Sequence, residues 1–216
     1  MSSGLRERKK ERTRQLIADT ARQLFAERGF DAVTVAEIAR QAEVAEKTVY
    51  NYFPTKEDLF YSRLEAFEEE LLAAIRERGE GESVLAAFEG FILEPRGLFA
   101  MSASGDDETA TEQLRSVTRI ITESPALLAR ERQVFARYTD ALAGLIAEET
   151  GAPPDAVEPR VAAGAMLSVH RELIDYVRRR ALAGGSARTI ARGVRGEGKR
   201  AVARLADGLD DYGVRR

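Results

Sequence analysis

Apolar residues recur along this chain with a helical period and nowhere alternate as they do in a half-buried strand. Leu16, Ile17, Thr20, Ala21, Leu24 and Phe25 predict a first helix over about 6–28, which Gly29 stops. Thr34-Val35-Ala36-Glu37 has the form of a capping box, and the short helix it opens, about 35–42, would turn Val35, Ile38, Ala39 and Ala42 inward. Glu43-Val44-Ala45 leaves room for only a tight turn before a second short helix that starts at Glu46 and ends at Pro54. Thr55 caps a further helix, and Phe60, Leu64, Phe67, Leu71 and Ile75 line one face of it until Gly79.

The period continues beyond Gly79. It predicts helices over Ser83–Leu93, Glu108–Glu123, Pro125 to about Thr150, and from Asp155 as cap to about Leu182, with a Pro/Gly-containing break at Glu94–Asp107. After Gly184-Gly185 comes a segment over 187–209. Its continuity is open, because Gly193, Gly196 and Gly198 each cost a helix interior about 1 kcal/mol against Ala. The expected fold is all-α: an N-terminal three-helix domain with a helix-turn-helix over 1–56, then a larger helical domain over 57–216.

Composition narrows the chemistry. In 216 residues there is no Cys and one His, His170, so disulfides, thiolate zinc sites and histidine clusters are excluded, and neither a metal nor a cofactor is expected. Gly193-Val194-Arg195-Gly196-Glu197-Gly198-Lys199-Arg200 has the spacing of a phosphate-binding loop but lacks the following Ser/Thr and the preceding strand, so it reads as coincidence. The charged N-terminus and the absence of a long apolar run give the expectation of a cytoplasmic protein with no membrane partner. The net charge is −3, yet Arg6, Arg8, Lys9, Lys10, Arg12 and Arg14 face only Glu7 and Glu11, which puts a cationic arm ahead of an acidic body.

Two short helices across a three-residue turn, behind a longer helix and a basic arm, describe a helix-turn-helix reader of double-stranded DNA. Ala39 and Ala42 let the second helix cross closely, and Val44, Val49 and Phe53 would hold it down. Glu46, Lys47, Thr48, Tyr50, Asn51 and Tyr52 remain for the duplex, with Lys56 placed for a backbone phosphate. Pattern alone leaves two alternatives open: a helical ligand-binding or scaffold protein whose DNA reader is inactive, and an unrelated helical enzyme.

The run Thr34-Val35-Ala36-Glu37-Ile38-Ala39, then Val44, then Thr48-Val49-Tyr50-Asn51-Tyr52-Phe53-Pro54-Thr55-Lys56-Glu57-Asp58-Leu59, with Leu24-Phe25-Ala26-Glu27-Arg28-Gly29-Phe30 upstream, resembles the N-terminal domain of TetR-family (tetracycline-repressor-like) transcriptional regulators. The resemblance covers residues 10–60. It implies a homodimeric, ligand-responsive repressor of a palindromic operator rather than an enzyme, with Thr34 and Lys56 as phosphate contacts and Ala45 through Asn51 in the recognition helix. Two positions depart from that pattern. Glu43 stands where the turn commonly has Gly, and Ala45 where Ser or Thr commonly caps. In the larger domain Phe88, Phe91, Phe99, Phe135, Tyr138, Met166 and His170 are candidates to line a small-molecule effector pocket, and the helices near 155–182 and 187–209 are candidates for a two-fold interface.

Overall fold

A computed structural model describes residues 3–62, 64–94, 107–153 and 155–209. Among them the helices are α1 (Ser3–Arg28), α2 (Val35–Gln41), α3 (Glu46–Tyr52), α4 (Lys56–Phe60), α5 (Leu64–Arg76), α6 (Val84–Leu93), α7 (Asp107–Glu123), α8 (Pro125–Thr150), α9 (Val157–Leu182) and α10 (Ala187–Leu209). The fold is all-helical, and the described residues contain no strand. Met1–Glu65 with Arg119–Arg130 makes one compact unit, and Ala66–Thr118 with Glu131–Arg216 makes another.

In the first unit α1 packs on α2 and α4, and α2 on α3. Its buried stripe is Ile17, Ala18, Ala21 and Phe25, whereas Leu16, expected inside, is 50% exposed. The reason is angular: Leu16 lies about 100° around the helix from Ile17 and falls off the edge of that stripe. Val35, Ile38, Ala39 and Ala42 are all buried, as the period of α2 requires. Rings of Phe25, Phe30 and Phe60 meet at centroid distances of 5.1–5.9 Å, and each such ring removed from water contributes about 1.5–3 kcal/mol.

The single helix expected from Thr55 to Gly79 is instead two. α4 ends at Phe60, and Tyr61 takes a non-helical conformation as its C-cap. The apolar face runs in phase through both helices, so periodicity hides the break. Phe60 packs with Phe25 and Phe30 in the first unit, whereas Phe67 packs with Phe91 and Tyr138 in the second. Tyr61 is held by its hydroxyl, which donates to the Leu127 carbonyl at 3.3 Å. The expected cap at Asp155 also moves by one residue. The Ala156 amide closes a turn onto the Pro153 carbonyl, and Ala156 becomes the N-cap with no side-chain bond.

In the second unit α10 packs on α9 and α6 and is one continuous helix through Gly193, Gly196 and Gly198. Two of them are sites of close approach. A Cβ on Gly193 would collide with the Tyr176 hydroxyl of α9, and one on Gly198 with the Leu93 side chain of α6. The phosphate-loop spacing is therefore packing. α10 begins under side chains of α7: the Ala187 amide donates to the Thr111 hydroxyl and the Arg188 amide to Asp107, both at 2.8 Å. Arg78, buried, donates twice to Glu149, at 3.0 and 2.5 Å.

The turn between α2 and α3 closes as a Schellman motif, with the Val44 amide on the Ala39 carbonyl and the Glu43 amide on the Arg40 carbonyl. It needs a left-handed residue at Glu43, whose φ is 54°, the only positive value on a non-glycine among the described residues. Gly184 fills the equivalent place after α9. The left-handed form costs Glu43 about 1–2 kcal/mol, and glycine gives back part of that gain in unfolded-chain entropy. Glu43→Gly is expected to raise stability by about 0.5–1 kcal/mol, seen as a Tm about 1–4 °C higher. A lower Tm would mean that the Glu43 side chain contributes a contact that outweighs its backbone conformation.

Candidate nucleic-acid interface

The turn delivers the chain into α3, which has only seven residues and no side-chain cap at Ala45. Its first turn closes through the backbone alone, Thr48 and Val49 amides both donating to the Ala45 carbonyl. Val49 is fully buried and Phe53 is 1% exposed, and these two residues pin the inner side. The Arg14 guanidinium of α1 lies 5.1 Å from the Phe53 ring centroid, a cation–π contact between residues far apart in sequence. On the other side Ala45, Glu46, Lys47, Tyr50 and Asn51 are exposed, and Thr48 and Tyr52 are half-buried. Glu46, Lys47, Tyr50 and Asn51 share about 140° of arc, a continuous polar ridge of one carboxylate, one ammonium, one phenol and one amide.

Both ends of this helical hairpin carry a capping box. Thr34 accepts from the Glu37 amide at 3.2 Å, and its own amide and hydroxyl donate to one Glu37 oxygen at 2.9 Å. The other Glu37 oxygen binds Arg28 at 3.0 Å. Donation from the Thr34 amide, then from its hydroxyl and from Arg28, holds the Glu37 carboxyl down at about 2. Thr55 and Asp58 repeat the arrangement, and buried Asp58 also takes a 2.5 Å ion pair from Arg130.

Lys56 is only half-buried, yet its ammonium is engaged. It donates to the carbonyls of Phe30 at 3.0 Å and Val33 at 3.1 Å and stands 4.2 Å from the Phe30 ring centroid. One N–H and the full charge remain for a phosphate. Arg6, Arg8, Lys9, Lys10 and Arg12 are exposed on the first turns of α1, so the cationic arm is helical. The sequence placed Arg14 only among the cations of the arm and Arg28 only within the run resembling the family, and indicated neither residue's contacts. Their partners are set by the crossing of elements, and neither carries a local signal.

The effector candidates divide. Phe67 of α5, which sequence reasoning took only as a helix-face residue, is the hub of an aromatic group. Its ring stacks on His170 at 4.8 Å and lies 5.2 Å from Phe91 and 5.5 Å from Tyr138. Phe135 closes the group, 5.8 Å from His170 and 6.0 Å from Tyr138. Phe88 and Met166 are buried but have no part in these ring contacts, and Phe99 lies outside the described residues. Burial pushes the His170 imidazole down to about 4.

The profile of bacterial regulatory proteins of the tetR family matches residues 17–62, and that of the MftR C-terminal domain matches 98–183. This chain belongs to the TetR family. It is 31% identical over 153 residues to the HTH-type transcriptional regulator TcmR of Streptomyces glaucescens, which covers 70% of this chain and 66% of that protein. Two solved structures share the fold. Native NalD, the secondary repressor of the MexAB-OprM multidrug efflux pump in Pseudomonas aeruginosa, superposes with a TM-score of 0.53 at 23% identity over 89% of this chain and 96% of that one. A SmeT–triclosan complex gives 0.56 at 16% over 93% of each. The family is one of DNA-binding transcriptional regulators, and the polar ridge of α3 lies inside the matched segment. In this regulator no helix among the described residues is long and apolar enough to cross a membrane.

Lys56→Met keeps the aliphatic stem and removes the donors. It is expected to cost about 1–3 kcal/mol of stability by thermal melting, besides weakening DNA binding; an unchanged Tm would mean that the two carbonyl bonds contribute nothing. His170 gives a pH signature with a definite sign. The unfolded chain takes up this proton near 6.5 and the folded one only near 4. Stability is whole above pH 6.5 and falls by up to about 3 kcal/mol as pH drops to 4. His170→Phe should lose that slope between pH 6.5 and 4 relative to the parent protein, and parallel curves would refute it.

Proposed function

We propose that this regulator is a homodimeric repressor that grips a palindromic operator with two copies of α3 and lets go when a small-molecule effector binds. The division of α3 carries the reading: Val49 and Phe53 are sealed inside, and Glu46, Lys47, Tyr50 and Asn51 stand out together. Asn51 has the donor–acceptor pair that reads adenine, Lys47 the donors for guanine, Glu46 the acceptor for a cytosine amine, and Thr48 a methyl for thymine. Tyr50, Tyr52, Lys56 and the backbone at Ala45 set the register on phosphates, Thr34 joining them only if a phosphate replaces Glu37 as acceptor of its amide and hydroxyl, and the cations of α1 add affinity that falls as salt rises.

A second copy is supported by α9, where Val157 is 70% and Val161 61% exposed beside half-buried Ala165, while Ala162 and Ala163 are buried within the chain's own bundle. Two-fold pairing through α9 and α10 would cover those valines and space two recognition helices near one DNA turn or a multiple of it. NalD is a repressor and SmeT is seen with triclosan, and the aromatic group around Phe67 offers an apolar lining of the kind an effector needs. Release follows if the effector prefers the conformation whose recognition helices are misplaced.

Selection from random duplexes should yield a palindromic site whose affinity declines steeply on a log–log salt plot; a flat plot belongs to a scaffold and defeats the reading. Asn51→Ala and Lys47→Ala should each relax preference at particular base pairs by about 1–3 kcal/mol, whereas Lys56→Ala weakens all duplexes alike. Light scattering should give about twice the chain mass of 23.8 kDa, and a monomer at micromolar concentration would refute the two-fold architecture.

A further inference from the structure

Between α8 and α9 lies a cleft of about 320 Å³, at the small end of the range for ligand sites. Its floor is apolar, made by Phe135 of α8 and Leu167 of α9. Its rims are cationic, with Arg132 on α8 and Arg171 on α9, both exposed and neither in an ion pair among the described residues. Glu131 also borders the cleft, but both of its oxygens are engaged by the buried guanidinium of Arg178. The free charge facing the cleft is therefore positive. Ser168 adds a hydroxyl that makes no hydrogen bond among the described residues.

Gly164 lines the same cleft. A Cβ there would meet nothing within 4 Å, as at Gly90, Gly144 and Gly208 of other helices, so the position leaves room in the cleft that a longer side chain would take up.

We infer that this cleft binds a small organic anion, a carboxylate, sulfonate or phosphate ester on a flat apolar body, with the anion between Arg132 and Arg171 and the body on Phe135 and Leu167. Guanidinium groups hold such oxygens in charge-assisted, often two-pronged hydrogen bonds. A neutral apolar molecule would gain only the floor and an inorganic anion only the rim, so an amphipathic anion is the class that uses both. The inference deepens the effector reading and rests on it for one consequence alone. Phe135 floors the cleft and also touches the rings of His170 and Tyr138, so a ligand pressing on Phe135 acts on the aromatic group centred at Phe67.

The test uses the full chain and two probes of one shape, 2-naphthoate and neutral 2-naphthamide, titrated calorimetrically. The acid should bind at least about tenfold more tightly than the amide, a difference of about 1.4 kcal/mol. Arg132→Gln and Arg171→Gln should each weaken the acid about fivefold or more. Gly164→Leu, which projects into open space, should abolish binding without lowering the melting temperature. Equal affinity for acid and amide, or undiminished binding to Gly164→Leu, overturns the site. Naphthoate added to the operator complex should release it; binding without release defeats the effector consequence and leaves the anion site standing. Failure of the untreated protein to bind any duplex defeats the regulator reading without affecting the titrations.

Discussion

The Lys56 ammonium closes the base of the helical hairpin proposed to read DNA. Its two bonds reach the carbonyls of Phe30 and Val33, where the chain enters α2, from the point where the chain has just left α3. Helices of seven residues have no stability of their own in water, so their placement depends on what clamps their ends. The same device stands at both ends: Thr34 with Glu37, and Thr55 with Asp58. Each box is tied outward by an arginine, Arg28 on Glu37 and Arg130 on Asp58. The ridge of α3 is thus held by a ring of polar bonds around a small apolar centre of Val49, Phe53, Ile38 and Ala39.

What could be read from the sequence is what local chemistry decides. Both N-caps, the inward face of α2, the tight turn and the exposure of Glu46, Lys47, Tyr50 and Asn51 follow from spacings of a few residues, and the structure has them all. The departure at Glu43 was also legible, since a turn that short needs a left-handed residue whatever its identity. The break after Phe60 was not legible, because the apolar face keeps one phase through α4 and α5 while the two helices serve different units. The engagement of Lys56, the ring stack of Phe67 on His170 and the seat of Arg14 on Phe53 all join residues distant in sequence. Side-chain type there says what can be bound and leaves open by whom.

The two units use charge differently. In the first unit most cations are exposed on α1 and α3, and solvated charge of that kind governs encounter with a polyanion. In the second unit Arg78 and Arg178 are buried and matched to Glu149 and Glu131. Such pairs add little net stability against apolar replacements, but removing one partner strands the other charge at about 3–5 kcal/mol. They fix which helix faces meet, and Glu131 does so at the edge of the cleft that Arg132 and Arg171 flank.

The bare backbone at Gly193 and Gly198 makes α10 a key with two notches cut at different angles, one fitted to Tyr176 and the other to Leu93. Sliding or rotating the helix by a single position would bring a side chain against the Tyr176 ring or the Leu93 side chain, which would then have to shift. The two notches thus favour one register, and an insertion or deletion in the linker over 183–186 would move both away from their partners at once.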